Sequence, residues 1–405
     1  MRHRRRLAVG GAVAAVLAVA ACGAAPSGSS TAATAPAPPG LPLATSLATS
    51  LATSLASAGD TWAVVPMASD PAFWQVFVRS AKSPQWRLAT PPGAADNGGL
   101  VAAIRPDLGS VGVAGSGSGA LTVAVRPSQN LEFTPLTATT NAGASWSPGG
   151  PINAAVIASP DALAASGQAL LALVNRGGST STSIPATTLD ASSDGGATWR
   201  PLPTPGASTA SLAGTGCGAV TITSVSFWGS GADVLAGGNC GTGGAAALFS
   251  YSLAAPSAGW QRVSLPVSGQ LVRLDGGLVL MRASAGLTAL WSGPRSAGTA
   301  SASWVASAPL SVTGAVTTSG RLASGGAWVL MAGRRAAMIT APGERWRRLP
   351  PVPGQTAVLA SGPDGAIDAL APSGATLTVW RLAPGAAAWS KVQTVKVPIQ
   401  YGSSG

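Results

Sequence analysis

The feature that most limits what this chain can fold into is a phrase, a Trp followed a few residues later by Pro, that returns at Trp86, Trp146, Trp199, Trp260, Trp304, Trp346 and Trp389. The successive spacings are 60, 53, 61, 44, 42 and 43 residues. From Asp60 onward the sequence between these phrases consists of apolar runs of roughly four to eight residues, broken by Gly, Pro and Ser clusters, with no sustained helical period. A period of about 40 to 50 residues holding about four short strands is the pattern of β-propeller blades. Seven phrases predict an all-β, seven-bladed propeller of four-stranded antiparallel blades. The last repeat shows the expected plan: "TAVLAS", "AIDALA", "ATLTVWRLA" and "AWSKVQTV" are strand-like and are joined by "GPDG", "PSG" and "PGAA". The first repeat has only "TWAVVP", "FWQVFVRS" and "QWRLAT", one strand short, and the tail after Trp389 is long enough to supply it. Such closure removes the exposed edges of an open ring.

The N-terminus follows a different rule. Arg2, Arg4, Arg5 and Arg6 precede an apolar run from Leu7 to Ala21, too short to span a bilayer comfortably, and Val19-Ala20-Ala21 stands directly before Cys22. This resembles the signal peptide and lipobox of bacterial lipoproteins, which implies cleavage of residues 1–21 and a lipid on Cys22. The implied location is the outer face of the cell membrane. Residues 22–59, with "GAAPSGSSTAATAPAPPG" and "LATSLATSLATSLAS", have the composition of a low-complexity tether, and residues 60–405 form the propeller. Cleavage removes His3, the only His, and lowers the formal charge from +11 to +7 because four arginines leave. Cys217 and Cys240 then remain as an even pair in an oxidising compartment, on either side of a strand–turn–strand pattern, and are expected to form a disulfide.

The stretch "SSDGGATW" resembles the Asp-box, or BNR repeat, of sialidase-type propellers: Ser192, Asp194, Gly196, Thr198 and Trp199 fill its pattern. "TTNAGASW" matches with one change, having Asn141, Gly143 and Trp146 at the Asp, Gly and Trp places. The resemblance implies a structural role: a side-chain acceptor closing a tight rim turn, a Gly at positive φ and a Trp plugging the gap between sheets. It also raises an enzyme alternative, an exo-acting glycosidase of sialidase type. That activity needs an arginine triad, a Tyr activated by a Glu and an Asp acid/base. The chain has only Tyr251, Tyr401, Glu132 and Glu344 to offer, and "AIRPDLG" lacks the family's Arg-Ile-Pro order. No catalytic residue is carried over.

Loss of His3 leaves no imidazole for a triad, a proton shuttle or a metal site. No metal, cofactor or phosphate-cradling loop is expected, and Asp364 and Asp368 belong to a hairpin turn and its following strand. The densest charge, Arg334, Arg335, Arg345, Arg347 and Arg348, is either an anion-binding face for lipid headgroups or cell-wall polymers or a charged sheet edge. Nucleic acid is not an expected partner of an exported chain with few aromatics on its basic strands. The expectation is a monomeric, surface-anchored protein that binds or scaffolds an envelope protein or polymer without catalysis; a third reading, after the glycosidase, is a solute- or polymer-binding module for the cell envelope.

Overall fold

In a computed structural model the described residues are 60–67, 74–80, 83–91, 100–104, 121–125, 136–148, 160–166, 168–175, 187–203, 205, 220–228, 232–240, 244–293, 303–322, 324–361 and 364–398. The proposed signal peptide, Cys22, the tether, Glu132, Cys217 and Tyr401 lie outside them. The described residues are all-β, with one 3-10 turn at Pro256–Ala258 and no α-helix.

The strands form consecutive antiparallel meanders. Sheet 1 is β1 (Thr61–Pro66), β2 (Trp74–Arg79) and β3 (Trp86–Leu88). Sheet 2 is β4 (Leu100–Ile104), β5 (Leu121–Val125), β6 (Leu136–Thr139) and β7 (Ser147–Pro148). Sheet 3 is β8 (Pro160–Ser166), β9 (Ala169–Asn175), β10 (Thr187–Ser192) and β11 (Arg200–Leu202). Sheet 4 is β12 (Val220–Trp228), β13 (Asp233–Cys240), β14 (Ala246–Ser252) and β15 (Gln261–Val263). Sheet 5 is β16 (Gln270–Asp275), β17 (Leu278–Ala283), β18 (Gly286–Ser292) and β19 (Trp304–Ala306). Sheet 6 is β20 (Val316–Arg321), β21 (Ala327–Met331), β22 (Arg335–Ile339) and β23 (Arg347–Arg348). Sheet 7 is β24 (Val358–Ser361), β25 (Ile367–Ser373), β26 (Thr376–Leu382) and β27 (Ser390–Lys396).

Each sheet pairs its strands in chain order. The first strands of successive sheets lie side by side from β4 through β24, and β1 lies against β24, which is a propeller arrangement. Its core is therefore divided among the gaps between neighbouring sheets. In β21 the side chains of Ala327, Val329 and Met331 join Leu278, Leu280 and Trp291 of sheet 5. Trp328 and Leu330, pointing the other way, join Val358, Ile367 and Leu377 of sheet 7. A strand buried on both faces must be apolar at every position, which is why "AWVLM" shows no alternation.

The recurrent Trp marks the start of the outermost strand, and in the repeats from Trp260 onward its indole fixes one sheet to the previous one. Trp260 Nε1 donates to Pro203 O at 2.6 Å, Trp304 Nε1 to Ser264 O at 3.0 Å and Trp389 Nε1 to Pro350 O at 3.1 Å. Each acceptor lies four residues after the preceding unit's Trp. Trp346 Nε1 uses Ser307 Oγ, one residue earlier in the phrase, at 3.1 Å. The repeated phrase is thus donor and acceptor of one interlocking series.

Between sheets 7 and 1 the series changes chemistry. Trp86 Nε1 donates to Asp368 Oδ2 at 2.8 Å, and Arg79 Nη1 donates to the same oxygen at 2.8 Å. Arg381 donates from Nε to Asp368 Oδ1 at 2.8 Å and from Nη2 to Oδ2 at 3.1 Å. Gln393 of β27 receives Trp86 N on Oε1 at 2.8 Å and donates from Nε2 to Trp86 O at 2.6 Å. The expectation that the tail adds a strand to sheet 1 is corrected for residues 390–396: they pair with β26 as the outer strand of sheet 7 and touch sheet 1 through side chains. Residues 399–405 lie outside the described residues.

Candidate functional site

The Ser192–Trp199 turn joins β10 to β11. Ser192 Oγ donates to Asp194 Oδ1 at 2.7 Å and accepts Gly196 N at 2.9 Å. Asp194 Oδ1 also accepts Thr198 N at 2.9 Å, while Oδ2 accepts Thr198 Oγ1 at 2.5 Å. These donors, Thr198 first, hold the Asp194 carboxyl well below the usual carboxylate range. Trp199 Nε1 closes the turn on Gly196 O at 3.1 Å. Gly196 has φ +94°, and a Cβ there would stand 3.2 Å from Leu170 Cδ1 and 3.4 Å from Leu136 Cδ1, the latter in sheet 2. Only glycine meets both requirements without strain.

The Thr139–Trp146 turn between β6 and β7 repeats the device with an amide. Thr139 Oγ1 donates to Asn141 Oδ1 at 2.9 Å and accepts Gly143 N at 3.0 Å, and Asn141 Oδ1 accepts Ser145 N at 2.9 Å. A Cβ on Gly143, at φ +76°, would come within 2.7 Å of Ala89 Cβ in sheet 1. In both turns the Asp or Asn side chain accepts from donors of its own turn, which is the arrangement of a lock.

The other sequence-selected residues are dispersed. Arg334 and Arg335 stand at the β21–β22 turn, whereas Arg345 is beyond the far end of β22, about 13 Å away along a five-residue strand. Arg335 Nε donates to Ala332 O at 3.0 Å and its Nη atoms to Thr313 O and Oγ1. Arg348 Nη2 donates to Ser311 O at 3.1 Å, and Arg347 turns to Met338 Sδ at 3.3 Å. Arg335 and Arg348 thus clamp the segment that leads into β20. Asp364 caps its own turn by accepting Ala366 N at 3.2 Å. Asp368 is fully buried in the cluster with Arg79 and Arg381; burial pushes Arg79 below its ordinary value against the pull of Asp368, and hydrogen bonding to Asp368 raises Arg381. Tyr251 packs on Trp260 at 5.1 Å between ring centroids, in sheet 4, and Glu344 accepts from Thr340 in sheet 6. The fold does not bring that Tyr and Glu together. Among the described residues no three His, Cys, Asp or Glu side chains gather as metal ligands.

A cavity of about 520 Å³, in the range of small-ligand sites, lies between sheets 6 and 7. Its walls come from the start of β20 (Thr317, Thr318), the end of β21 (Leu330, Met331), the β21–β22 turn with Arg334, and the 352–357 connection into β24, including Gln355. These segments share one end of their sheets. The Ser192–Trp199 turn belongs to the other end of sheet 3, since Gly195 N bonds Gln168 O in the β8–β9 turn at 2.9 Å. Arg334 is a non-glycine residue at φ 62°, following Gly333 at φ 77°: with Ala332 they make a three-residue hairpin loop that has two left-handed positions. Its backbone and side chain bracket Val352, with Val352 N bonded to Arg334 O at 3.0 Å and Arg334 Nε to Val352 O at 2.7 Å. The sequence signal was present in "MAGRRAAM", a Gly-Arg pair between two apolar runs, but its cavity partners are 16 to 23 residues away and carry no motif.

No protein-family model matches the chain, and no curated protein matches it. Solved structures do. It is similar to YCF48 from Cyanidioschyzon merolae at 14% identity, covering 80% of this chain and 98% of that one, with a TM-score of 0.49. A YCF48 bound to D1 peptide matches at 15% identity over 67% of this chain and 78% of that one, TM-score 0.42. A Bacteroides uniformis protein assigned as a 6-phosphogluconolactonase matches at 12% identity over 80% and 92%, TM-score 0.48. All three are β-propellers.

Proposed function

We propose that this chain is an exported lipoprotein, anchored through Cys22 and tethered by residues 22–59, whose seven-bladed propeller with Asp-box turns binds or scaffolds an envelope component without catalysis. The observation that supports it is the contrast between the cavity and the ionic groups. Asp368, Arg79 and Arg381 are tied to one another between sheets, Asp194 is tied into its turn, and the cavity is lined by hydroxyl, amide and aliphatic groups with a single guanidinium. Such a lining suits recognition. A Cys217–Cys240 disulfide belongs to the same reading: Val220, the strand partner of Cys240, is three residues after Cys217 in the sequence.

The test is turnover. Purified full-length protein incubated with a fluorogenic sialoside and with neutral aryl glycosides is expected to release no fluorophore above a protein-free blank. Release that saturates with substrate and tracks the protein through purification would replace this reading with the exo-glycosidase of sialidase type.

A further inference from the structure

Building on the binding reading, we propose that the cavity between sheets 6 and 7 is a site for a small amphiphilic monocarboxylate, an acylated amino acid being the type, with Arg334 holding its carboxylate.

The position of Arg334 is the first reason. A left-handed backbone is unfavourable for a non-glycine residue, and in hairpin loops such a place is usually taken by Gly. Arginine stands here instead, and its side chain is engaged at that place. Part of the role is visible: Nε holds Val352 O at 2.7 Å. That bond also fixes the plane of the guanidinium at the cavity wall. Nη1 and Nη2 have no hydrogen-bond partner among the described residues, and no carboxylate of those residues pairs with Arg334. A fixed planar fork with two free N–H groups is matched to a carboxylate.

The rest of the lining limits the body of the ligand. Leu330, Met331 and Val352 supply an aliphatic surface, which fits an aliphatic side chain better than a polyhydroxylated ring. Thr317 and Gln355 are exposed at the walls and supply a hydroxyl and an amide for a ligand amide group. Thr318 adds a hydroxyl that is buried and has no partner among the described residues. With the volume of about 520 Å³, these groups suit a molecule bearing one carboxylate, one amide and one short aliphatic branch.

Full-length protein in detergent is titrated by calorimetry with N-acetyl-leucine and with its neutral amide, N-acetyl-leucinamide. The acid is expected to bind about 10- to 100-fold more tightly than the amide, the worth of a charge-assisted hydrogen-bond pair. Arg334→Gly, which relieves the left-handed backbone and so preserves the turn, is expected to abolish that preference while melting within a few degrees of the parent. Gln355→Glu, which adds a carboxylate to the cavity wall, is expected to weaken the acid more than the amide and so to shrink the preference. Equal binding of acid and amide, or an Arg334→Gly variant that keeps the preference, overturns the carboxylate assignment while leaving a neutral binding cavity. Absence of binding by either probe overturns the site itself, whereas only turnover in the glycoside assay overturns the non-catalytic reading. Preferential binding of free N-acetylneuraminic acid over N-acetyl-leucine would overturn the aliphatic assignment.

Discussion

Asp194 and Asp368 show how one residue type takes two roles. Asp194 is exposed and accepts only from its own turn, so replacing it removes a local lock. Asp194→Ala is expected to lower Tm by about 1 to 4 °C, and Asp194→Asn by less, because Asn141 already fills that place in the other turn. The folded carboxyl is held below the ordinary value, so its contribution is full above about pH 4 and declines as pH falls further and the unfolded chain takes up the proton first. Tm measured for parent and Asp194→Ala at descending pH should therefore converge. Asp368 is the opposite case: its removal leaves Arg79 and Arg381 facing each other in a buried gap. Asp368→Ala is expected to cost about 3 to 5 kcal/mol in urea unfolding. Asp194 was legible because its whole partner set lies within eight residues. Asp368 was legible only as a strand residue after a turn, since Trp86 and Arg79 are 282 and 289 positions away.

At the scale of the element, the sequence pattern located strands well because turns of Gly, Pro and Asp punctuate them, and the four strands of the last repeat fall where the pattern puts them. It did not reveal which way the Trp phrases interlock. A phrase containing both an indole donor and a carbonyl acceptor four residues later is compatible with bonding inside its own unit or across to a neighbour. Packing decides the matter: Trp260, Trp304 and Trp389 lie against the preceding sheet, and the acceptor is offered there, whereas Trp199 bonds within its own turn. Trp389→Phe keeps most of the ring and leaves Pro350 O without its donor. The expected loss is about 0.5 to 1.5 kcal/mol by chemical denaturation, and the same change at Trp304 should behave alike because Ser264 O occupies the equivalent place. A much larger loss at one of the two would mean that the staples are not equivalent.

For the molecule as a whole, the all-β class and the propeller arrangement followed from period and composition, whereas the join between its first and last sheets did not. That join is made by a buried carboxylate, two guanidinium groups and a glutamine reading a backbone N–H and C=O, none of which leaves a periodic trace. The cavity was illegible for a similar reason, being assembled from two strands and a turn of sheet 6 and the connection into β24. Anchoring belongs to this scale too: Cys22→Ser is expected to move the protein from the membrane fraction to the medium or leave it unprocessed, as read by fractionation and immunoblotting. The central claim, that the accessible chemistry is recognition at the cavity end of the propeller, is tested most directly by photo-crosslinking in intact cells. A photoreactive residue at Gln355 is compared with one at Thr198, at the other end of its sheet. The account predicts a discrete adduct from position 355 that is competed by N-acetyl-leucine and lost with Arg334→Gly, and none from 198. Adducts from 198 alone, or adducts from 355 indifferent to both competitor and substitution, would contradict it.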